Sequence, residues 1–138
     1  MADANPQPAP FRIERLTKRP EFLACAQAPA CARGAVLVQA RPRDDQPLVR
    51  AGFTATKRVG GAVVRNRAKR RMREAARRLL PDHGEPGFDY VFIARGGLVA
   101  RPWDRLLDDM KSALIRLAAD RGSRAQVREP ATSPQQDD

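Results

Sequence analysis

Apolar residues along this chain recur with two different periods, and the change of period marks the predicted elements. Residues 35–40 and 49–56 alternate between apolar and polar positions, which is the period of a strand with one buried face. Residues 89–95 are apolar on both faces, as a central strand would be. A period of three to four residues predicts helices over 17–27, 62–80 and 102–121.

Local signals predict where these helices begin and end. Thr17 is predicted to cap the first helix. Gly60-Gly61 breaks the chain before the second helix, and Pro81 is predicted to end it. Gly122 is predicted to end the third helix. The predicted core face of that helix comprises Trp103, Leu106, Leu107, Met110, Ala113, Leu114 and Leu117.

Together these elements predict an α/β (α+β) sandwich. The order is α-β-β-α-β-α, or α-β-β-β-α-β-α when a weakly indicated strand over 30–33 is counted. We predict the second order, with one mixed four-stranded sheet. The length suits a single domain, which we place at 12–121. Residues 1–11 and 122–138 are predicted to be disordered tails, because they are rich in proline or polar residues.

The predicted second helix combines an apolar stripe with dense positive charge. Between Lys57 and Arg78 the chain holds ten Lys and Arg residues and a single acid, Glu74. Apolar residues nevertheless recur there at helical steps and share one narrow face. They are Val64, Ala68, Met72, Ala75 and Leu79. A helix attached to a core by one stripe and basic elsewhere is expected to bind a polyanion.

The charge of the whole chain supports this interpretation. The formal net charge is +10 on 138 residues, which is more than solubility requires and indicates nucleic acid or an anionic surface as the partner. Most of the basic residues are arginines. Arginine can form two parallel hydrogen bonds with phosphate oxygens, and lysine cannot.

The sequence does not predict a free-standing nuclease centre. A metal-dependent nuclease needs clustered carboxylates or histidines to hold Mg²⁺ and position water. The single histidine, His83, lies in a turn-like segment, and the acids are scattered. Asp89 and the group Asp104, Asp108 and Asp109 are expected to be solvated or to stabilise a helix N-terminus.

The two cysteines and the lack of long apolar runs indicate in which cellular compartment the protein is expected. Cys25 and Cys31 have no histidine nearby and are expected to be reduced thiols, with Cys25 on the buried side of the first helix. No N-terminal segment suggests secretion, and no stretch is long enough to span a bilayer. We therefore expect a cytoplasmic protein.

A longer motif surrounds the basic helix. Residues 56–74 read TKRVGGAVVRNRAKRRMRE, with Arg65-Asn66-Arg67 at the centre. A Gly-Phe pair at 52–53 precedes the motif, and a strand at 90–95 follows it. In order and spacing these features resemble the protein subunit of bacterial ribonuclease P. The resemblance covers about residues 12–120.

The resemblance implies a function beyond what composition indicates. Members of that family are small protein cofactors of a catalytic RNA, and the complex removes the 5′ leader of precursor tRNA, leaving a 5′ phosphate on the mature tRNA. The implied partners are the catalytic RNA and precursor tRNA, without membrane or DNA. No catalytic residue or protein-bound cofactor is implied, since the RNA would hold most of the Mg²⁺. The implied fold is ribosomal protein S5 domain 2-like, with a left-handed β-α-β crossover where a right-handed one is usual.

The resemblance also implies two RNA-binding sites. The basic helix would bind the catalytic RNA, and a cleft between the first helix and the sheet would bind the leader. The candidates on the basic helix are Arg65, Asn66, Arg67, Lys69, Arg70, Arg73 and Arg77. The candidates in the leader cleft are Phe22, Phe53, Thr54, Thr56, Lys57 and Arg58. A solvated helix face, and core packing for Phe53, are the competing structural interpretations.

The chain departs from the family pattern in one motif position. Gly61 stands where members commonly have asparagine, so any leader or metal contact by that side chain is absent. The predicted cleft is also poor in aromatic residues. Two other classes stay open: a ribosomal protein or general RNA chaperone, and a DNA-binding protein. The last would need a helix-turn-helix pair or dimer symmetry, and the sequence shows neither.

Overall fold

Eight elements follow one another along residues 11–128, the part of the chain that the computed structural model describes. They are β1 (Arg12–Arg15), α1 (Arg19–Cys25), β2 (Ala30–Arg33), β3 (Val36–Pro42), β4 (Leu48–Ala55), α2 (Ala62–His83), β5 (Phe88–Ala94) and α3 (Trp103–Arg128). Every predicted element is present, including the weakly indicated strand over 30–33. The predicted α+β class is therefore confirmed.

One mixed sheet contains the five strands in the order β1-β4-β5-β3-β2. β5 lies at the centre, parallel to β4 and antiparallel to β3. Phe92 on β5 is level with Phe53 on β4 and with Val38 on β3. This central position explains why β5 is apolar on both faces, as predicted.

Helices α2 and α3 cover one face of the sheet and enclose the main core. From β4, Val49 and Ala51 are buried in it, and Phe53 and Ala55 pack against it, so the predicted alternation of this strand is confirmed. The predicted face of α3 is also confirmed. Its buried residues are Leu106, Met110, Ala113, Leu114 and Leu117, with Trp103 and Leu107 packed against the cluster.

Helix α1 covers part of the opposite face. Leu16, Cys25 and Val91 form a smaller buried cluster there, and Phe22 and Ile93 pack against it. α1 is only seven residues long, so it leaves part of this face uncovered. The sheet thus separates a thick helical layer from a thin one.

The sheet has five strands, so the prediction of four was wrong. The missing strand, β1, reads RIER, and all four residues are exposed. The strand therefore shows no alternation that sequence analysis could detect. It pairs in parallel with β4, from Arg12 beside Leu48 to Arg15 beside Ala51. Phe11, assigned to a disordered tail, is buried in the main core.

Three helix ends also differ from prediction. α1 begins after Lys18, which forms no capping hydrogen bond, so Thr17 is not the cap. Pro81 lies inside the last turn of α2. Its missing N–H removes one helical hydrogen bond there, which costs little because the last turn of a helix is weakly held. α3 continues through Gly122 to Arg128, because a helix tolerates one glycine at a cost of about 1 kcal/mol. Residues 1–10 and 129–138, the rest of the predicted tails, lie outside the described residues.

α2 connects two neighbouring parallel strands, β4 and β5. This connection is the β-α-β crossover that the family resemblance implied. Its left-handedness stays a prediction. Within residues 11–128, none of the helices is both long and apolar enough to cross a lipid bilayer.

Candidate nucleic-acid interface

Helix α2 lies on the main core through a continuous buried stripe. The stripe consists of Ala68, Met72, Ala75, Ala76 and Leu80. Three of the predicted members are in it, while Val64 and Leu79 are half-buried. The buried stripe therefore holds α2 on the core, and the opposite side of the helix is accessible to a binding partner.

None of the seven predicted RNA-binding residues of α2 belongs to its buried stripe. We call them the basic face of α2, and they are Arg65, Asn66, Arg67, Lys69, Arg70, Arg73 and Arg77. Asn66, Arg67, Arg70 and Arg77 are exposed, and the other three are half-buried. The structure thus gathers all seven on one rigid element.

Much of the charge on the basic face is uncompensated. Glu74 accepts a hydrogen bond from Arg77 at 2.6 Å. Among the side chains that the structure describes, none forms a salt bridge with Arg67, Lys69 or Arg70. Free guanidinium and ammonium donors suit phosphate oxygens, which form stronger, charge-assisted hydrogen bonds.

Two further arginines of α2 have structural roles. Arg71 donates hydrogen bonds to the carbonyl oxygens of Leu98 at 2.7 Å and Val99 at 3.0 Å. The guanidinium groups of Arg71 and Arg78 lie 5.7 and 5.6 Å from the ring centroid of Trp103. These contacts tie α2 to the loop before α3 and to its first turn, as expected for arginines that border an apolar stripe.

The turn before α2 brings backbone donors and two cations together. Gly60 has a φ of +151°, a conformation that favours glycine. Gly61 is the N-cap of α2 and offers no side-chain hydrogen bond to the first turn, which carries no acid. Lys57 and Arg58 are exposed just before it. A helix N-terminus with free N–H groups attracts phosphate, and these side chains add to that attraction.

Three of the predicted cleft residues, Phe22, Thr54 and Thr56, lie on or beyond the face of the sheet that α1 covers. Phe22 of α1 lies over Gly52, where an added methyl group would be 2.6 Å from the ring. Thr54 follows on the same face of β4 and is half-buried, and Thr56 is exposed beyond the strand. The remaining aromatic side chains of residues 11–121 belong to the main core or pack against it, so Phe22 is the one ring on this face.

Phe53 does not belong to the cleft, so its assignment to the leader site was wrong. It packs on the main core, where its ring stacks on Phe92 at a centroid distance of 5.4 Å. Successive residues of a strand point to opposite faces. Phe53 and Thr54 therefore cannot both line the α1 side, and the alternation of β4 already contained this information.

Asp89 is fully buried rather than solvated, which corrects the prediction. Arg50 donates to its two oxygens at 2.9 and 2.8 Å, and Arg43 donates at 2.6 Å. Arg41 adds a contact of 3.3 Å. Burial alone would raise the pKa of Asp89, but the hydrogen bonds and charges of Arg50 and Arg43 outweigh it and hold the pKa below its usual range.

The Asp89 cluster also connects α1 to the sheet. Arg50 donates a further hydrogen bond to Glu21 of α1 at 2.7 Å. The sequence signal for this cluster was an acid in an apolar strand, with arginines on the strands that flank it. Because α1 forms one wall of the cleft, Asp89 and Arg50 help to fix the position of that wall.

Asp109 is a second buried acid that was predicted to be solvated or to lie at a helix start. Arg101 binds its carboxylate with two hydrogen bonds of 2.7 and 3.0 Å. The backbone N–H of Ala35 donates to the same group at 3.3 Å. The carboxylate fills the space beside Gly34, whose φ is +53°. Asp109 therefore fastens α3 to the turn between β2 and β3.

The remaining candidates for metal or acid-base chemistry do not converge. Among the residues described, no three side chains of His, Cys, Asp or Glu come together as metal ligands would. His83 ends α2 and is half-buried. Cys25 and Cys31 are both buried and unbonded to each other. Burial, with a smaller contribution from the charge of Asp89, raises the pKa of Cys25 to about 11.

The fold and these surfaces define a class: an α+β sandwich with a strongly basic helix packed on one face of its sheet and a short helix on the other. A family model described as Ribonuclease P matches residues 12–118. The chain belongs to the ribonuclease P protein family.

Relatives with curated names agree with this assignment. The chain is 64% identical over 121 residues to a "Ribonuclease P protein component" of Caulobacter vibrioides, which covers 87% of this chain and 79% of the relative. It is 53% identical over 110 residues to the component of Ruegeria pomeroyi, covering 78% and 88% of the two chains. These matches give no support to the ribosomal-protein or RNA-chaperone alternative.

Solved structures show the same fold. The RNase P protein of Thermotoga maritima is 28% identical with a TM-score of 0.56, over 71% of this chain and 96% of that one. The RNase P protein of Staphylococcus aureus has a TM-score of 0.62 over 75% of this chain and 94% of that one. At 23% identity the second likeness concerns the fold alone.

Proposed function

We propose that this protein is the cofactor of a ribonuclease P ribonucleoprotein, binding the catalytic RNA and the 5′ leader of precursor tRNA. The complex cleaves the leader and leaves a 5′ phosphate on the mature tRNA in the cytoplasm. The observation that carries the proposal is the basic face of α2, which combines free cationic donors with a fully buried stripe on the other side.

The basic face binds the catalytic RNA because it is both charged and rigid. Its backbone and the buried half of the helix are ordered before the RNA arrives, so binding does not have to order them. Its arginines offer paired donors to phosphates. Contacts of this kind position the protein on RNA and carry little base information.

The cleft beside α1 receives the single-stranded leader. Thr54, Thr56, Lys57 and Arg58 supply polar and cationic contacts along the end of β4 and the turn that follows. Phe22 supplies one ring for stacking. With one ring and mostly polar groups, affinity depends weakly on leader base identity. A series of leader sequences with strong, position-specific changes in affinity would contradict this.

The catalytic centre and its Mg²⁺ belong mainly to the RNA. The two buried carboxylates, Asp89 and Asp109, are already neutralised by arginines and are poor candidates for metal ligands. In the holoenzyme Mg²⁺ supplies a Lewis acid and an activated water. The protein's own residues bind phosphates and orient the leader.

The test is cleavage of a precursor tRNA at low Mg²⁺ by the RNA alone, by this protein alone, and by both. Cleavage that requires both components supports the proposal. A protein that adds nothing to a competent RNA would refute it. Cleavage by the protein alone would show that this chain contains an active site of its own and would refute the assignment of catalysis to the RNA.

A further inference from the structure

A groove lies between the edge strand β1 and helix α2, on the main-core face of the sheet. Ile13 is level with Val49, and Arg15 is level with Ala51, so both side chains point to the face that α2 covers. The helix leaves Ile13 38% exposed. The groove has a volume of about 200 Å³, and Ile13, Arg15, Phe53, Arg73, Arg77 and Leu80 are among its lining residues.

The groove combines an aromatic wall with a cationic rim. The ring of Phe53 is held nearly parallel to that of Phe92, at an angle of 15°. The guanidinium carbon of Arg73 lies 6.0 Å from the centroid of Phe53. A planar aromatic ring can stack on Phe53 and on a guanidinium group, and so would suit both features.

We propose that this groove receives one unpaired nucleobase of the catalytic RNA, stacked against Phe53, with its flanking phosphates on Arg15 and Arg77. The proposal rests on the proposed function, because Arg73 and Arg77 belong to the basic face that binds that RNA. Three arginines and one acid, Glu14, line the groove, which favours a polyanion over a neutral or acidic peptide.

Size and position specify the occupant further. The volume is below the roughly 300–1,000 Å³ of ordinary ligand pockets, so it fits a single base rather than a stack of bases. The groove and the leader cleft lie on opposite faces of the sheet. A base of the catalytic RNA, already bound along α2, reaches the groove directly, and a leader in the cleft does not.

The test measures the Kd of the full chain for the catalytic RNA across a range of salt concentrations. Phe53→Leu keeps an apolar side chain but removes the ring, and Ile13→Ser removes the outer wall at an exposed edge position. Ile115→Ser is the matched control, because Ile115 is a 48% exposed isoleucine on α3 outside the groove. Arg67→Ala reports on phosphate contact by the basic face.

Phe53→Leu should raise Kd about tenfold, the effect of losing one base–aromatic stack. Ile13→Ser should raise it severalfold. In both, the slope of log K against log salt should stay unchanged, since no phosphate contact is lost. Arg67→Ala should reduce that slope by roughly one, and Ile115→Ser should behave like the unmodified protein.

Different failures would have different meanings. Unchanged affinity in Phe53→Leu and Ile13→Ser, with Arg67→Ala weakened, would overturn the groove proposal and leave the proposed function standing. Unchanged affinity in all three would reject α2 as the RNA-binding element. If the groove variants weaken only precursor tRNA binding by the holoenzyme, the occupant is not the catalytic RNA and the proposal is wrong. If Phe53→Leu fails to fold, the Kd of Ile13→Ser for the catalytic RNA decides whether the groove proposal holds.

Discussion

Single residues at the centre of the smaller layer determine how firmly α1 is attached to the sheet. Asp89 is surrounded by three guanidinium groups, and one of them, Arg50, also reaches Glu21 of α1. Removing one partner of a buried ion pair usually costs more than the pair contributes, because the other charge stays buried and unpaired. Asp89 is therefore the residue whose loss should be most costly on this side of the sheet.

We predict that Asp89→Asn lowers the free energy of unfolding by about 3–5 kcal/mol at pH 7. The Asp89 pKa is lower in the folded chain than its unfolded value of about 3.9. Its stabilisation is therefore complete well above pH 4 and is lost as the pH falls through the folded pKa. Urea unfolding from pH 7 to pH 3 should show the difference between variant and unmodified protein shrinking with acid. An equal change in Asp108→Asn, an exposed acid, would contradict the assignment.

Cys25 gives a second prediction at this scale. Burial raises its pKa to about 11, so at pH 8 only roughly one thiol in a thousand is ionised, against about a quarter for a free thiol. In a Cys31→Ser background, alkylation at pH 8 should be at least a hundredfold slower in the native protein than in denaturant. Equal rates in the two conditions would show that Cys25 is accessible and ionised.

Side-chain faces and pairings differed in how well the sequence predicted them. The alternation of β4 was sufficient to place Phe53 on the core face, opposite Thr54, although the family resemblance led us to group the two. Burial of Asp89 and Asp109 was not predictable from local pattern, because their arginine partners are far away along the chain. Such pairs become visible only after strand order is known.

At the scale of elements, the close approach of α1 to the sheet depends on one glycine of β4. A methyl group on Gly52 would lie 2.6 Å from the Phe22 ring and 3.2 Å from the Cβ atom of Leu16. Neither contact can be relieved without moving α1 or rotating the ring. The position of α1, and with it one wall of the proposed leader cleft, is thus set by the absence of a side chain at Gly52.

We predict that Gly52→Ala destabilises the fold by about 1–3 kcal/mol, the usual cost of overpacking, and weakens leader binding by displacing Phe22. Thermal unfolding and holoenzyme affinity for precursor tRNA with and without a leader would measure the two effects. Gly96→Ala is the control, since nothing lies within 4 Å of its added methyl group. Equal stability of the two variants would mean that α1 moves to accommodate the added methyl group without a measurable cost.

Elements with strong periodicity were predictable, and their ends and weakest members were not. α2 and α3 each show an apolar stripe that survives in the structure. β1 has four exposed residues. It forms a strand because its backbone pairs with the otherwise unpaired edge of β4. The predicted helix ends at Pro81 and Gly122 were wrong. At both positions the packing of the rest of the helix outweighs the local helix-breaking residue, and a single sequence does not reveal this balance.

For the whole molecule, the question is whether RNA binding follows the net charge of +10 or its arrangement. We compare two double variants, each of which lowers the net charge to +8. Arg65→Ala with Arg67→Ala removes two members of the basic face, whereas Lys111→Ala with Arg116→Ala removes two exposed cations of α3. A diffuse attraction predicts similar losses of affinity for the catalytic RNA.

A defined interface on α2 predicts a difference between the two pairs. The α2 pair should bind about tenfold more weakly per residue, from the loss of charged hydrogen bonds, and its slope of log K against log salt should fall by roughly two. The α3 pair should keep both affinity and slope. Neither α2 residue belongs to the buried stripe, so circular dichroism should remain native in both variants. If the two pairs lose affinity equally, the rigid basic face has no special role and the charge of the whole chain attracts the RNA.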